Sequence, residues 1–533
     1  MKKTMKRHSF ISRLASLAVV CGLTLAFASC ANDDLAQNGK TSTDDKGLTA
    51  FCTGEPATRT TMEADGKFYW EAGDKIWVKD DSGNWKQSSN SPTDKTASFK
   101  FLMPGKYTAK SSYEVYYPGK NGNKDKVTIS ANQKQTDPNT TAHFGASGDC
   151  GIAKATRNAT SHEFEFALDH KAAYLVFKPY TSNDVLKYCY LTKIEVTSDN
   201  DITDTYTLDP TAATGTGALT GTGSGNMIEL TTKGDYGSTY QNGFPLTNTS
   251  ANLATNGAYM VIKPGTHTLR IRYWVKDVAT QIEGTITKII PSHTFAKNEY
   301  VNMEADLQIK NYDGDKYYAW DAQQNYWAGH EWNTANPWQP TLMSQPANPN
   351  YPQSNTDPRY WNESYPGNGI SNPATHTPCK DLPNINEMSW YAMFGDPHRD
   401  KDELWTTMGH LYKGGMWFKK KSVLQAEHHY DTEKSADGST DLRTTWKDYN
   451  NSSINNSGLP SAADANKYFY LPVLGYYDSY GKLRDVGSYG YYWSSSADPS
   501  GSNYAFALYF GGSSVYMYNY SYRGNGYRVD GFE

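Results

Sequence analysis

Short β-like apolar runs alternate along much of this chain with turn clusters marked by Asp-Gly, Pro-Gly and Asn-Gly pairs. In the stretch 267–275, Leu269, Ile271 and Tyr273 share one face, while Arg270 and Arg272 share the other. That pattern predicts an antiparallel strand with one face buried. Strands are likewise predicted over 75–78, 96–102, 113–117, 126–129, 163–168, 172–177, 191–197, 205–208, 258–263 and 281–290. The runs 258–263 and 267–275 flank Pro264-Gly265, which predicts a hairpin, and the Gly/Thr-rich stretch 211–225 reads as a mobile loop. One helix stands out. Pro383-Asn384 opens it, Met388, Tyr391 and Ala392 give the apolar spacing, and Gly395 closes it. Pro at the start and Gly past the end match the two ends of a helix.

Changes in texture divide the chain. Residues 48–160 carry short strand signals and 161–308 carry longer ones. Ten of the fourteen tryptophans follow residue 310, which places a boundary there. Residues 309–378 form an aromatic, irregular connector, and 379–533 return to strands behind the single helix. The expected fold is mainly β: two tandem antiparallel β-sandwiches followed by an α+β unit.

The first thirty residues set the compartment. Lys2, Lys3, Lys6 and Arg7 precede an apolar run over 14–28 that ends in Phe27-Ala28-Ser29-Cys30. A basic start, a short apolar stretch and small residues before a cut read as a secretory signal over 1–29. The run is shorter than the roughly 20 residues that span a bilayer. Its small-small-Cys ending resembles a bacterial lipobox, which implies cleavage before Cys30 and acylation of its thiol and amine. Each buried methylene contributes about 0.8 kcal/mol, so several chains on one residue hold firmly where one does not. Residues 30–47 are polar and read as a disordered tether. Asp33 and Asp34 within it resemble a lipoprotein surface-export signal. The expected location is the outer membrane, lipid-anchored and facing outward.

A formal charge of −5 gives no footprint for nucleic acid. Cys52, Cys150, Cys189 and Cys379 remain after processing; four cysteines allow three pairings, and their scatter favours buried thiols.

Two stretches carry a family resemblance. Ala57-Thr58-Arg59-Thr60-Thr61 with the run 69–78 (YWEAGDKIWV) resembles the opening of fimbrillin-family surface proteins. The run 168–177 (LDHKAAYLVF) is similar to the strand that begins their second sandwich. The resemblance implies two sandwiches over 48–308. It also implies a role as adhesin or pilus component, and assembly with other subunits by β-strand addition, in which main-chain hydrogen bonds supply affinity. Cleavage after an N-terminal arginine starts such assembly, with Arg59 as the candidate here; uncut, the protein stays on its lipid. The tail resembles a different module. Tyr470-Leu471-Pro472, the run 490–496 (GYYWSSS), the run 505–510 (AFALYF) and the run 523–529 (RGNGYRV) look like the Fibrobacter-type major paralogous domain, which implies a C-type-lectin-like fold over 379–533.

Site candidates are few. Tyr516, Tyr518, Tyr520 and Tyr522 alternate with Val515, Met517, Asn519 and Ser521, so four rings share one strand face about 6.6 Å apart. Such a row suits a sugar or protein surface, or packs another sheet. Trp493 reads as core and His170 as a structural histidine. Asp396, Asp400, Asp402 and Glu403 follow the helix as an acidic loop, either solvated or a partial calcium site, since calcium takes six to eight oxygens. The chain carries no HExxH, P-loop, GxGxxG or GxSxG. His428-His429 is isolated, and Glu331 with Asp321 could serve a glycosidase only at the right separation. The sequence therefore predicts a non-enzymatic surface lipoprotein without cofactor, an adhesin or pilus component. The alternative is a carbohydrate-binding lipoprotein acting through its C-terminal unit. The expected partners are the membrane, other subunits, and host or environmental glycans or proteins.

Overall fold

The computed structural model describes residues 47–53, 61–62, 68–363, 373–456 and 459–533. Cys30, Asp33, Asp34 and Arg59 lie outside the described residues. Among those described, no helix is long and apolar enough to cross a membrane. The fold is mainly β.

The N-terminal part is built on one eight-stranded sheet over an aromatic core. Leu48–Thr53 lies inside it, antiparallel to Lys100–Pro104 and parallel to Phe164–Phe166. Phe51 stacks on Phe164 at 4.8 Å, and Trp70 meets the edges of Phe101 and Tyr117 at 4.9 and 5.4 Å. Each such pair adds about 0.5–1.5 kcal/mol beyond its buried area.

The second part is a sandwich. Its inner sheet holds Ala258–Ile262, Ala173–Tyr180 and Tyr300–Asp306 in that order. The facing sheet is built on Tyr190–Ser198, Gly265–Lys276 and Glu283–Phe295. Ile194, Val196, Leu269, Ile271 and Tyr273 fill the space between them with Leu175 and Phe177. Cys52, Cys150, Cys189 and Cys379 are all buried. Cys150, Cys189 and Cys379 stand in no disulfide, and the Cys52 thiol donates to Glu163 at 3.3 Å.

Several expectations need correction. Ala258–Ile262 and Gly265–Lys276 do not form a hairpin; the first pairs with Ala173–Tyr180, the second with Glu283–Phe295. Pro264 lacks an N–H, and the chain crosses there from one sheet to the other. The stretch 211–225 contains a strand, Ala218–Thr220, paired with Asp204–Asp209. The sheets are mixed: Ala173–Tyr180 runs parallel to Tyr300–Asp306 through seven residue pairs. A division at residue 160 cuts across the sheets, because Lys126–Ile129 and Asn132–Lys134 pair into the second part. Short strands go where their apolar face finds cover, whatever their order in the chain.

The C-terminal unit surrounds one helix, Ile385–Phe394. Asn384 accepts from the Glu387 N–H at 3.1 Å, and Glu387 Oε2 accepts from the Asn384 N–H at 2.8 Å, a reciprocal capping box. Residues 385–392 are all buried, between His398–Thr407 and His410–Lys419 on one side and a six-stranded sheet on the other. That sheet includes Gly490–Ala497, Tyr504–Phe510 and Val515–Tyr522.

The acidic stretch after the helix is a strand, not a solvated loop. His398–Thr407 extends the sheet of the second part through a parallel pairing of Thr285 with Glu403. Arg272, expected on a solvated face, is 8% exposed because the C-terminal unit covers it. Its guanidinium donates to Asp400 Oδ1 at 2.9 Å and to Thr285 Oγ1 at 2.6 Å. Glu403 accepts from Thr285 and Thr287 hydroxyls at 3.1 and 2.7 Å. Burial, then the charge of Asp400, pushes the Glu403 carboxyl up to about 7.

The folded value lies above the ordinary 4.5, so the folded state keeps a proton that the unfolded chain releases. Stability from this group is full below pH 4.5 and falls as pH rises through about 7. Glu403→Gln is expected to flatten that slope and to add on the order of 1–2 kcal/mol at pH 8. Urea midpoints at pH 5 and 8 measure it; an unchanged slope in the variant would refute the assignment.

Candidate functional site

The strand Val515–Tyr522 alternates strictly. Val515, Met517, Asn519 and Ser521 are buried, and Val515 and Met517 enter the core around the helix. The tyrosines between them point the other way. Tyr518 is 44% and Tyr520 is 59% exposed, with Tyr516 and Tyr522 half-buried. The row therefore does not pack another sheet; it faces solvent.

Neighbouring strands widen it. Register places Tyr509 opposite Tyr516, and Tyr491 opposite Tyr509. Their ring centroids are 5.6 and 5.0 Å apart. Tyr489 stacks on Tyr509 at 5.3 Å, and Tyr504 meets the edge of Tyr520 at 5.7 Å. Tyrosines from three adjacent strands thus pave one face. Burial holds the phenols of Tyr491 and Tyr509 above their ordinary value. Both stay protonated near neutral pH, and the Tyr491 hydroxyl donates to Asp485 at 2.8 Å.

The rest of this face is roofed. Trp493 lies opposite Ala507, fully buried, stacked on Tyr527 at 4.3 Å, and its indole N–H donates to the Tyr318 carbonyl at 2.7 Å. Trp320 and Cys379 pack in the same cluster. The aromatic connector covers one half of the sheet and leaves the tyrosine half open.

The remaining candidates are held in structural contacts. Asp396 accepts from Tyr468 at 2.7 Å and His398 at 3.2 Å, Asp400 from Arg272 and the Trp417 indole, and Asp402 from Lys413 at 3.2 Å. Their carboxylates serve different partners, and among the described residues no three potential metal ligands converge. His170 is buried with Nδ1 2.8 Å from Asp149, which also accepts from the Tyr174 hydroxyl at 2.5 Å. Asp321 is buried and accepts the backbone N–H groups of Thr375 and His376, while Glu331 accepts from Asn325. His429 stacks on Phe394 at 4.2 Å. Sequence reasoning missed Tyr489, Tyr491, Tyr504 and Tyr509. A second two-residue spacing, Tyr489 to Tyr491, was the available signal, but only strand register shows that it joins the first.

No family model and no curated protein matches this chain. Its structural neighbours include fimbrial and cell adhesion proteins of Bacteroides and Porphyromonas. A candidate cell adhesion protein from Bacteroides uniformis is 15% identical, with a TM-score of 0.27 over 49% of this chain and 93% of that one. The fimbrial anchor protein Mfa2 from Porphyromonas gingivalis is 10% identical, with a TM-score of 0.21 over 45% and 82%. A fimbrial protein from Bacteroides ovatus is 10% identical, with a TM-score of 0.23 over 90% and 97%. Superpositions at these scores do not equate the folds, and the named roles are those of the neighbours.

Proposed function

We propose that this chain is a cell-surface adhesin, anchored by lipid at Cys30, whose C-terminal unit binds sugar chains on its tyrosine face. The observation that carries the reading is the exposure of Tyr518 and Tyr520 on a strand whose intervening residues are all buried. An aromatic ring offers an apolar face with a polar tip, which matches the C–H face and hydroxyl rim of a pyranose. A contiguous exposed aromatic patch on a folded protein marks an interaction surface.

A glycan array with the lipid-free protein tests this. Tyr518→Ala/Tyr520→Ala is expected to reduce binding at least tenfold with little change in thermal midpoint, because neither ring fills the core. Unchanged glycan binding in that variant, or binding of protein ligands alone, would overturn the proposal.

A further inference from the structure

Beside the tyrosine face lies a basic notch of about 130 Å³. Arg399, Lys401 and Lys413 line it, and no carboxylate does. Its volume is enough for one charged group with part of its hydration. Glycines make the opening. At Gly512 the chain runs beneath the Arg399 guanidinium, which donates to the Gly512 carbonyl at 3.3 Å and is held over the notch. A Cβ there would lie 3.1 Å from the Arg399 head group. Lys413 is engaged by Asp402 and the Glu283 carbonyl. Arg399 and Lys401 have no carboxylate partner among the described residues, and both are exposed.

The notch meets the tyrosine face at Gly511 and Ser488. Gly511 lines the notch and lies directly under the ring of Tyr489, where any side chain would collide with that ring. Ser488 lines the notch one residue before Tyr489. Tyr489 in turn stacks on Tyr509, the centre of the paved face. A ligand that extends past Tyr489 from the rings reaches a notch lined by these two cations.

We propose that the sugar chain recognised here is anionic, its carboxylate or sulfate seated between Arg399 and Lys401 while a neighbouring ring lies on the tyrosines. This rests on the tyrosine face being a glycan site and adds the charge of the ligand. An arginine fork accepts two oxygens of a carboxylate or sulfate side by side, and the adjacent lysine adds a point charge. Stacking alone would accept neutral and charged sugars equally, so the notch supplies the discrimination.

Affinity electrophoresis of the lipid-free protein through gels containing dextran, dextran sulfate or polygalacturonate tests it. The wild type is expected to be retarded at least tenfold more strongly by one anionic polymer than by dextran, and which polymer does so separates sulfate from carboxylate recognition. Arg399→Ser/Lys401→Ser should abolish that preference. Lys154→Ser/Lys233→Ser, which removes the same charge at exposed positions elsewhere, should keep it. Equal retardation in all three gels, no retardation in any, or equal loss in the control variant would overturn the notch assignment. Weak dextran binding that is lost in Tyr518→Ala/Tyr520→Ala would leave the tyrosine reading standing alone.

Discussion

An Arg272→Leu variant is expected to lose about 3–5 kcal/mol of stability, the usual cost of removing one partner from a buried ion pair. Arg272 and Asp400 are 8% and 2% exposed, and their contact lies where the second sandwich meets the C-terminal unit. Without the guanidinium, Asp400 keeps only the Trp417 indole at 3.3 Å and two backbone N–H groups of its own strand. Its charge also faces the neighbouring Glu403, which loses the same counter-ion. Calorimetry and urea unfolding measure the loss. The double variant Arg272→Leu/Asp400→Leu should recover most of it, because apolar groups of similar size replace buried pairs at little cost. A single variant within 1 kcal/mol of wild type would show the seam to be wet.

Trp493→Ala is expected to cost about 3–5 kcal/mol, as for large aromatic deletions in a core. Trp493 ties the connector to the sheet through Tyr527 and the Tyr318 carbonyl, so its loss strips the roof as well as leaving a cavity. Glycan binding should fall with stability, since Ala507 separates Trp493 from Tyr518 in one cross-strand line. The pairing of effects distinguishes this variant from Tyr518→Ala/Tyr520→Ala, where binding falls and stability holds. Thermal midpoints measured beside glycan binding separate the two. Trp493→Ala with full stability would place the indole outside the core.

Strand periodicity made much of the fold readable. Lys126–Ile129 and the helix opening at Asn384 are local features, set by alternation and by a cap, and the sequence places both. The buried face of Gly265–Lys276 was equally plain in Leu269, Ile271 and Tyr273. Its other face was not, because Arg272 becomes buried only through residues some 130 positions later. The Pro264-Gly265 crossing was misread for a related reason. A turn signal marks where a chain bends but not which partner waits on the far side. Composition did hold a clue, since the run 258–262 is uniformly apolar while 267–275 alternates, and strands covered on both faces differ in this way from strands covered on one. The tyrosine row was visible as a pattern, but its direction was not. Whether alternate rings face a core or open water depends on which side of the strand the helix occupies. The basic notch was invisible, as Arg399, Lys401 and Gly512 come together only through tertiary packing.

The sheet that runs unbroken from the second sandwich into the C-terminal unit has one more implication. Lys310–Tyr312, the first segment past the sandwich, is itself zipped parallel to His398–Thr407. The joint is therefore braced by main-chain pairing at two places as well as by the Arg272–Asp400 ion pair, which together resist bending. Such bracing limits how far the tyrosines of each copy can swing relative to its own sandwich. Simultaneous engagement by several copies then depends on how they are spaced and oriented, since linked sites gain avidity only when geometry lets all of them reach.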